Sequence, residues 1–122
     1  MISLLHSYDV LVVDDDPAIR TIVAEALRLE GYGVLTANNG QEALGQLHAE
    51  LPGLVLLDMR MPVMDGWGFI RALNERTITL PICVMTAARD ASVWASEVGA
   101  DYVLAKPFDL EQLFAVVEDA CC

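Results

Sequence analysis

What most constrains this chain is an alternation along its length. Strand-sized runs of mostly apolar residues are separated by segments whose apolar positions repeat with helical spacing. The runs are Val10–Val13, Val34–Ala37, Leu54–Leu57, Ile82–Met85 and Tyr102–Ala105. After the first, Pro17–Glu30 places Ile19, Ile22, Val23, Ala26 and Leu27 on one helical face, and Gly31 stops it. Asn38-Asn39-Gly40 makes a turn into a short helix, Gln41–Ala49, carrying Ala43, Leu44 and Leu47. Gly66–Asn74 turns Phe69, Ile70 and Leu73 inward, Ala91–Val98 is a weaker helix, and Leu110–Ala120 aligns Leu110, Leu113, Phe114 and Val117. Strands that are apolar throughout, rather than at every second position, are covered on both faces, which is the habit of parallel strands. Five strands and five helices in strict alternation therefore predict an α/β fold: one doubly wound parallel sheet with right-handed crossovers. With no repeat, linker or low-complexity stretch, residues 1–122 read as one domain.

Composition narrows the function. Hydrophobic residues make up 55% of the chain, ample for a core, yet no apolar run approaches the roughly 18 residues of a membrane span. Met1–Val13 lacks a basic start and a cleavage signal, so the expected location is the cytoplasm. Three cysteines without a framework pattern fit a reducing compartment, with Cys83 read as a small buried hydrophobe and Cys121 and Cys122 adjacent at the end of the chain. The net charge of −11 disfavours direct contact with nucleic acid or an anionic membrane and suits a protein that handles a cation, although solubility alone also accounts for excess acid.

The position of the acids is more informative. Strand one runs into Asp14-Asp15-Asp16, strand three into Asp58, strand four into Thr86 and strand five into Lys106. Ligands of open α/β sheets bind at the carboxyl ends of strands, where the strand order reverses. In the order 2-1-3-4-5, strands one and three are neighbours about 5 Å apart, and Asp14, Asp15 and Asp58 share one pocket. In the order 3-2-1-4-5 that separation roughly doubles, and one small ion could scarcely reach both sets. The clustering favours 2-1-3-4-5. Carboxylates at about 4 Å repel by on the order of 4 kcal/mol at an effective dielectric of about 20, so the site needs a proton or a cation. All-oxygen donors point to a hard ion such as Mg²⁺. Lys106, the only lysine in the chain, brings a second positive charge to the same edge. A carboxylate beside a metal, a lysine and a hydroxyl is a suitable nucleophile for phosphoryl transfer.

These residues, taken together, resemble the receiver domain of bacterial two-component response regulators, a flavodoxin-like fold. The matching pieces are VLVVDDDPAIR at Val10–Arg20, NGQEAL at Asn39–Leu44, LLDMRMPVMDG at Leu56–Gly66, MTA at Met85–Ala87 and KPF at Lys106–Phe108, in order over essentially the whole chain. The resemblance implies that Asp58 is the phosphoacceptor, and that Asp14 and Asp15 are the acidic pair holding Mg²⁺, Asp15 directly. It further implies that the Arg60 carbonyl completes the protein ligands and that Thr86 and Lys106 contact the phosphoryl group. Lys106-Pro107 corresponds to a junction that is cis in the family. The implied partners are a histidine kinase or histidine phosphotransfer protein as donor and an unknown downstream protein, reached through helix four, strand five and helix five; a homodimer is also open. One departure stands out. Receivers commonly carry an aromatic residue three positions before the lysine, where this chain has Val103. Strand alternation puts Tyr102 on the other face.

The expected chemistry is self-modification, so the chain is not read as a turnover enzyme. An aspartyl-phosphate phosphatase would be supported by a second aspartate two residues after the nucleophile, where Arg60 stands. A docking scaffold without phosphorylation would not require Asp15, Asp58, Thr86 and Lys106 together, and an FMN carrier would face acids at its phosphate site. Only about one helix follows strand five, so no effector domain is expected within these residues. Simpler roles suffice elsewhere. Asp16 reads as an N-cap before Pro17, Asp65-Gly66 as turn and cap, Trp67 as packing at a helix start, and His6 and His48 as surface residues. Trp94, on a short helix, is a candidate for a solvent-facing partner contact.

Overall fold

A computed structural model of the chain describes residues 8–47 and 51–121. His6, His48 and Cys122, and the end of the expected second helix, lie outside the described residues. The elements alternate as β1 (Val10–Val13), α1 (Pro17–Leu29), β2 (Val34–Ala37), α2 (Gly40–Gly45), β3 (Leu54–Asp58), α3 (Gly66–Glu75), β4 (Ile82–Ala87), α4 (Ala88–Val98), β5 (Tyr102–Lys106) and α5 (Leu110–Cys121). The five strands form one parallel sheet in the order β2-β1-β3-β4-β5, as the acid clustering required.

Alternation along each central strand feeds two separate cores. Leu11, Val13, Val55, Leu57, Ile82 and Val84 pack on one face with Ala43 and Leu44 of α2, Phe69 and Leu73 of α3, and the half-buried Trp94 and Val98 of α4. Val10, Val12, Leu54, Leu56, Cys83 and Met85 pack on the other with Val23, Ala24 and Leu27 of α1 and Leu113 and Val117 of α5. Cys83 is the expected small hydrophobe, its thiol pushed up to about 12 by burial. No helix among the described residues is long and apolar enough to cross a membrane.

Two apolar residues depart from the expected inward stripes. Ile22 is 62% exposed, because α1 docks through Val23, Ala24 and Leu27, and Ile22 lies round the helix from that stripe. Leu110 is also exposed, at the first turn of α5, before the helix settles on the sheet at Leu113. Element ends shift too. β3, β4 and β5 run one or two residues further than the apolar pattern indicated, and α4 starts at Ala88 rather than Ala91. Pairing of Asp58 with Met85 and of Ala87 with Lys106 extends the ladder, so Asp58, Thr86 and Lys106 sit on the last rungs of the sheet rather than in loops, while Asp14 and Asp15 follow the end of β1.

Candidate functional site

The site is built by strands that end at nearly one level. Asp14 follows β1, whose neighbour β3 ends in Asp58; Thr86 is the penultimate residue of β4, and Lys106 the last of β5. Asp14 is completely buried (0% exposed), Asp58 is 6% exposed and Thr86 is also buried, whereas Asp15 faces solvent. Asp14, Asp15 and Asp58 each offer a carboxylate oxygen, all within 4.8 Å of one another.

Each carboxylate is held differently. Lys106 Nζ lies 2.8 Å from Asp14 Oδ2 and 3.7 Å from Asp58 Oδ1, so the lone lysine neutralises Asp14 first. The Asp16 backbone N–H donates to Asp14 Oδ1 at 2.9 Å, and Arg20 Nη1 donates to the Asp14 carbonyl at 2.7 Å. Asp16 is the N-cap of α1, accepting from the Ala18 N–H at 2.9 Å, and Asp65 caps α3, accepting from the Gly68 N–H at 2.8 Å. Both residues take the capping roles their sequence contexts indicated.

Asp58 is where the electrostatics concentrate. Burial, reinforced by the Asp14 charge and more weakly by Asp15, raises its carboxyl from 3.8 to about 7, against the opposing pull of Lys106 and a hydrogen bond from the Arg60 backbone. A carboxyl of this kind is half charged near neutrality, and a cation placed among the three acids would ionise it fully. The donor set fits a hard divalent ion: three carboxylates, all oxygen, one of them open to water.

The loop after β3 is drawn tight over this edge. The Gly40 N–H donates to the Met64 carbonyl and the Gly66 N–H to the Met59 carbonyl. Gly66 must be glycine, because a Cβ there would run into the Met59 side chain and lie 2.9 Å from Met59 Cα. The Met64 N–H bonds back to the Pro62 carbonyl at 2.8 Å, a γ-turn that holds Val63 at a φ of 72°. Lys106-Pro107 is cis, as the resemblance implied.

A family model described as the response regulator receiver domain matches residues 10–118. The chain belongs to the response regulator receiver family. Among its relatives, the DNA-binding transcriptional regulator NtrC of Salmonella typhimurium is 42% identical over 113 residues, covering 91% of this chain and 24% of its own. Among solved structures, the NtrX receiver domain from Brucella abortus superimposes with a TM-score of 0.83 at 32% identity, covering 93% of this chain and 98% of that one. The Vibrio cholerae chemotaxis protein CheY4 does so with 0.80 at 32% identity, covering 92% and 97%. This receiver spans less than half the length of the curated relatives it matches, 42% and 24% in two cases.

Asp14, Asp15, Asp58, Thr86 and Lys106 lie at one sheet edge, as their places at the strand ends indicated, but several contacts of this receiver were not legible in its sequence. Arg20, on α1, fastens the Asp14 backbone, and only its place in the motif after the acids could have pointed to it. Trp94, which its short helix left as a candidate for solvent, is half-buried. Its ring meets Trp67 edge-on at 4.9 Å, and the Arg60 guanidinium lies over it at 5.0 Å. Tyr102 and Val103 do part to opposite faces. The Tyr102 hydroxyl donates to Asp119 of α5 at 2.6 Å, while Val103 pairs with Val84 and stays partly exposed.

Proposed function

We propose that this receiver accepts a phosphoryl group on Asp58, with Mg²⁺ held by Asp15, Asp58 and the Arg60 carbonyl, and Asp14 behind them. One observation carries the reading: a buried carboxylate with two further carboxylates within reach of one cation and a lysine 3.7 Å from it. The bound ion would supply positive charge to offset that of the carboxylates and the incoming phosphoryl oxygens.

The chain's own residues account for the rest. A carboxylate oxygen of Asp58 attacks phosphorus in line with the bond to a phosphohistidine nitrogen. As the new O–P bond forms the P–N bond breaks, its electrons return to the imidazole, and the imidazole takes up a proton. Lys106 moves its charge from the acids toward the new phosphoryl oxygens, and the Thr86 hydroxyl donates to another. The acyl phosphate changes the charge at the ends of β4 and β5 and biases a two-state equilibrium at the partner surface. Water later hydrolyses it, so the domain modifies itself and is not a turnover enzyme. The donor is a histidine kinase or phosphotransfer protein in the cytoplasm, and the receiver acts through a downstream protein rather than by touching nucleic acid or membrane itself.

Incubation with acetyl phosphate and Mg²⁺, followed by intact mass measurement, tests this. Wild type gains a single phosphoryl adduct that chelation of the metal prevents, and Asp58→Ala gains none. An adduct on both proteins, or on neither, overturns the proposal.

A further inference from the structure

Arg60 has two attachments, one through its backbone and one through its side chain. Its backbone N–H donates to the Asp58 carboxylate. Its side chain, on an exposed residue, is laid over the Trp94 ring of α4 at 5.0 Å from the centroid. Trp94 is in turn fixed, half-buried against the α2–α3–α4 core and edge-on to Trp67 at 4.9 Å and 70°. Trp67 donates from Nε1 to Glu97 Oε1 at 3.3 Å, and Glu97 stands one turn after Trp94 on α4. The loop from Met59 to Asp65 is thus tied to α4 at both ends, by Arg60 near its start and by Trp67 just beyond its finish.

We propose that Trp94 is a positioning residue for the Asp58 site: by holding the Arg60 guanidinium it sets the Arg60 backbone against the carboxylate, and links the site mechanically to α4. A shift of α4 would pull on Arg60, and a change at Asp58 would push on α4; by linkage the coupling runs equally both ways. The metal part of the test rests on the functional reading above, and the exchange part does not.

The expected result has two readouts. In metal-free protein, Trp94→Leu speeds amide hydrogen exchange at Arg60 and Met61, and by calorimetry it raises the Mg²⁺ dissociation constant about two- to fivefold, the size of a cation–π contact at an exposed site. Trp94→Phe, which keeps a ring face, restores most of both. In an Arg60→Ala background Trp94→Leu changes neither further, a comparison that cancels the direct effect of the lost charge. Should Trp94→Leu fail to fold, Arg60→Lys, which keeps the charge but not the flat stacking face, speeds exchange in the same sense. Unchanged exchange in the folded variants, or effects that add fully in the Arg60→Ala background, overturns the proposal. Absence of Mg²⁺ binding by wild type counts against the functional reading instead, and leaves exchange to decide the link.

Discussion

The bodies of β1 and β3 and the residues at their carboxyl ends are neighbours in sequence and are built on opposite principles. Val10–Val13 and Leu54–Leu57 are fully buried among other hydrocarbon, helices covering both faces. Each methylene removed from water there contributes about 0.8 kcal/mol. One residue further on, the same two strands bury Asp14 and Asp58 beside each other, with one partly exposed lysine to share between them. Burying like charges costs free energy unless something neutralises them. The interior of the sheet supplies stability that its end spends on a reactive, cation-seeking edge. The acids follow the fully buried β1 and β3 and not the partly exposed β2 and β5.

The largest expected effect breaks the stable half of this comparison. Leu56 is completely buried between the sheet and the α1–α5 layer. Leu56→Ala should cost about 3–4 kcal/mol in urea unfolding, from lost transfer energy plus the cavity left behind. A loss under about 1 kcal/mol would mean that the strand bodies are not the source of stability.

The next effect has the opposite sign. Asp58 titrates near 7 when folded and near 3.8 when unfolded. The folded state therefore holds a proton that the unfolded chain releases, and its stabilising contribution is complete below about 3.8 and is lost as pH rises through about 7. Without metal, stability should fall across that window in wild type and fall less in Asp58→Asn. At pH 8 the variant should be more stable by about 1–3 kcal/mol, a range set below the full linkage value because Asp14 and Lys106 readjust when one charge is removed. Saturating Mg²⁺ should narrow the gap by stabilising wild type alone. Chemical denaturation at several pH values, with and without the ion, measures all of this. An Asp58→Asn protein less stable than wild type at pH 8 would show that the edge is not strained electrostatically.

The two halves were unequally legible in the sequence. Apolar runs report strands covered on both faces whatever the details of packing, and the residue ending each run marks the sheet edge, so Asp14, Asp58, Thr86 and Lys106 could be placed together in advance. The strand order followed from the need to bring the Asp14 and Asp58 ends side by side. What periodicity could not show was direction and reach. Ile22 matches the helical spacing but points away, because three other residues decide which way α1 faces. Arg20 on the Asp14 carbonyl and Arg60 on Trp94 join elements through long side chains whose paths depend on the assembled fold. Trp94 looked available because its helix read as short, yet the helix runs from Ala88 to Val98 and a neighbouring tryptophan and a guanidinium pack on the ring.

The smallest effect sharpens the comparison at the loop that closes over the edge. Val63 is exposed and held at a φ of 72° by the γ-turn between Pro62 and Met64. A β-branched residue in that region is strained, at a cost of about 1–3 kcal/mol, and its side chain recovers little by burial. Val63→Gly relieves the strain but adds freedom to the unfolded chain, a penalty of about 0.5–1 kcal/mol. The net gain should be about 1 kcal/mol, read as a shift of the denaturation midpoint with an unchanged slope. If the loop's strain is independent of the carboxylate repulsion, the gain should be the same in an Asp58→Asn background. A smaller gain in the Asp58→Asn background would mean that loop strain and carboxylate repulsion are one coupled store of energy, and that the boundary between the two halves lies nearer the Gly66 turn than the last rung of the sheet.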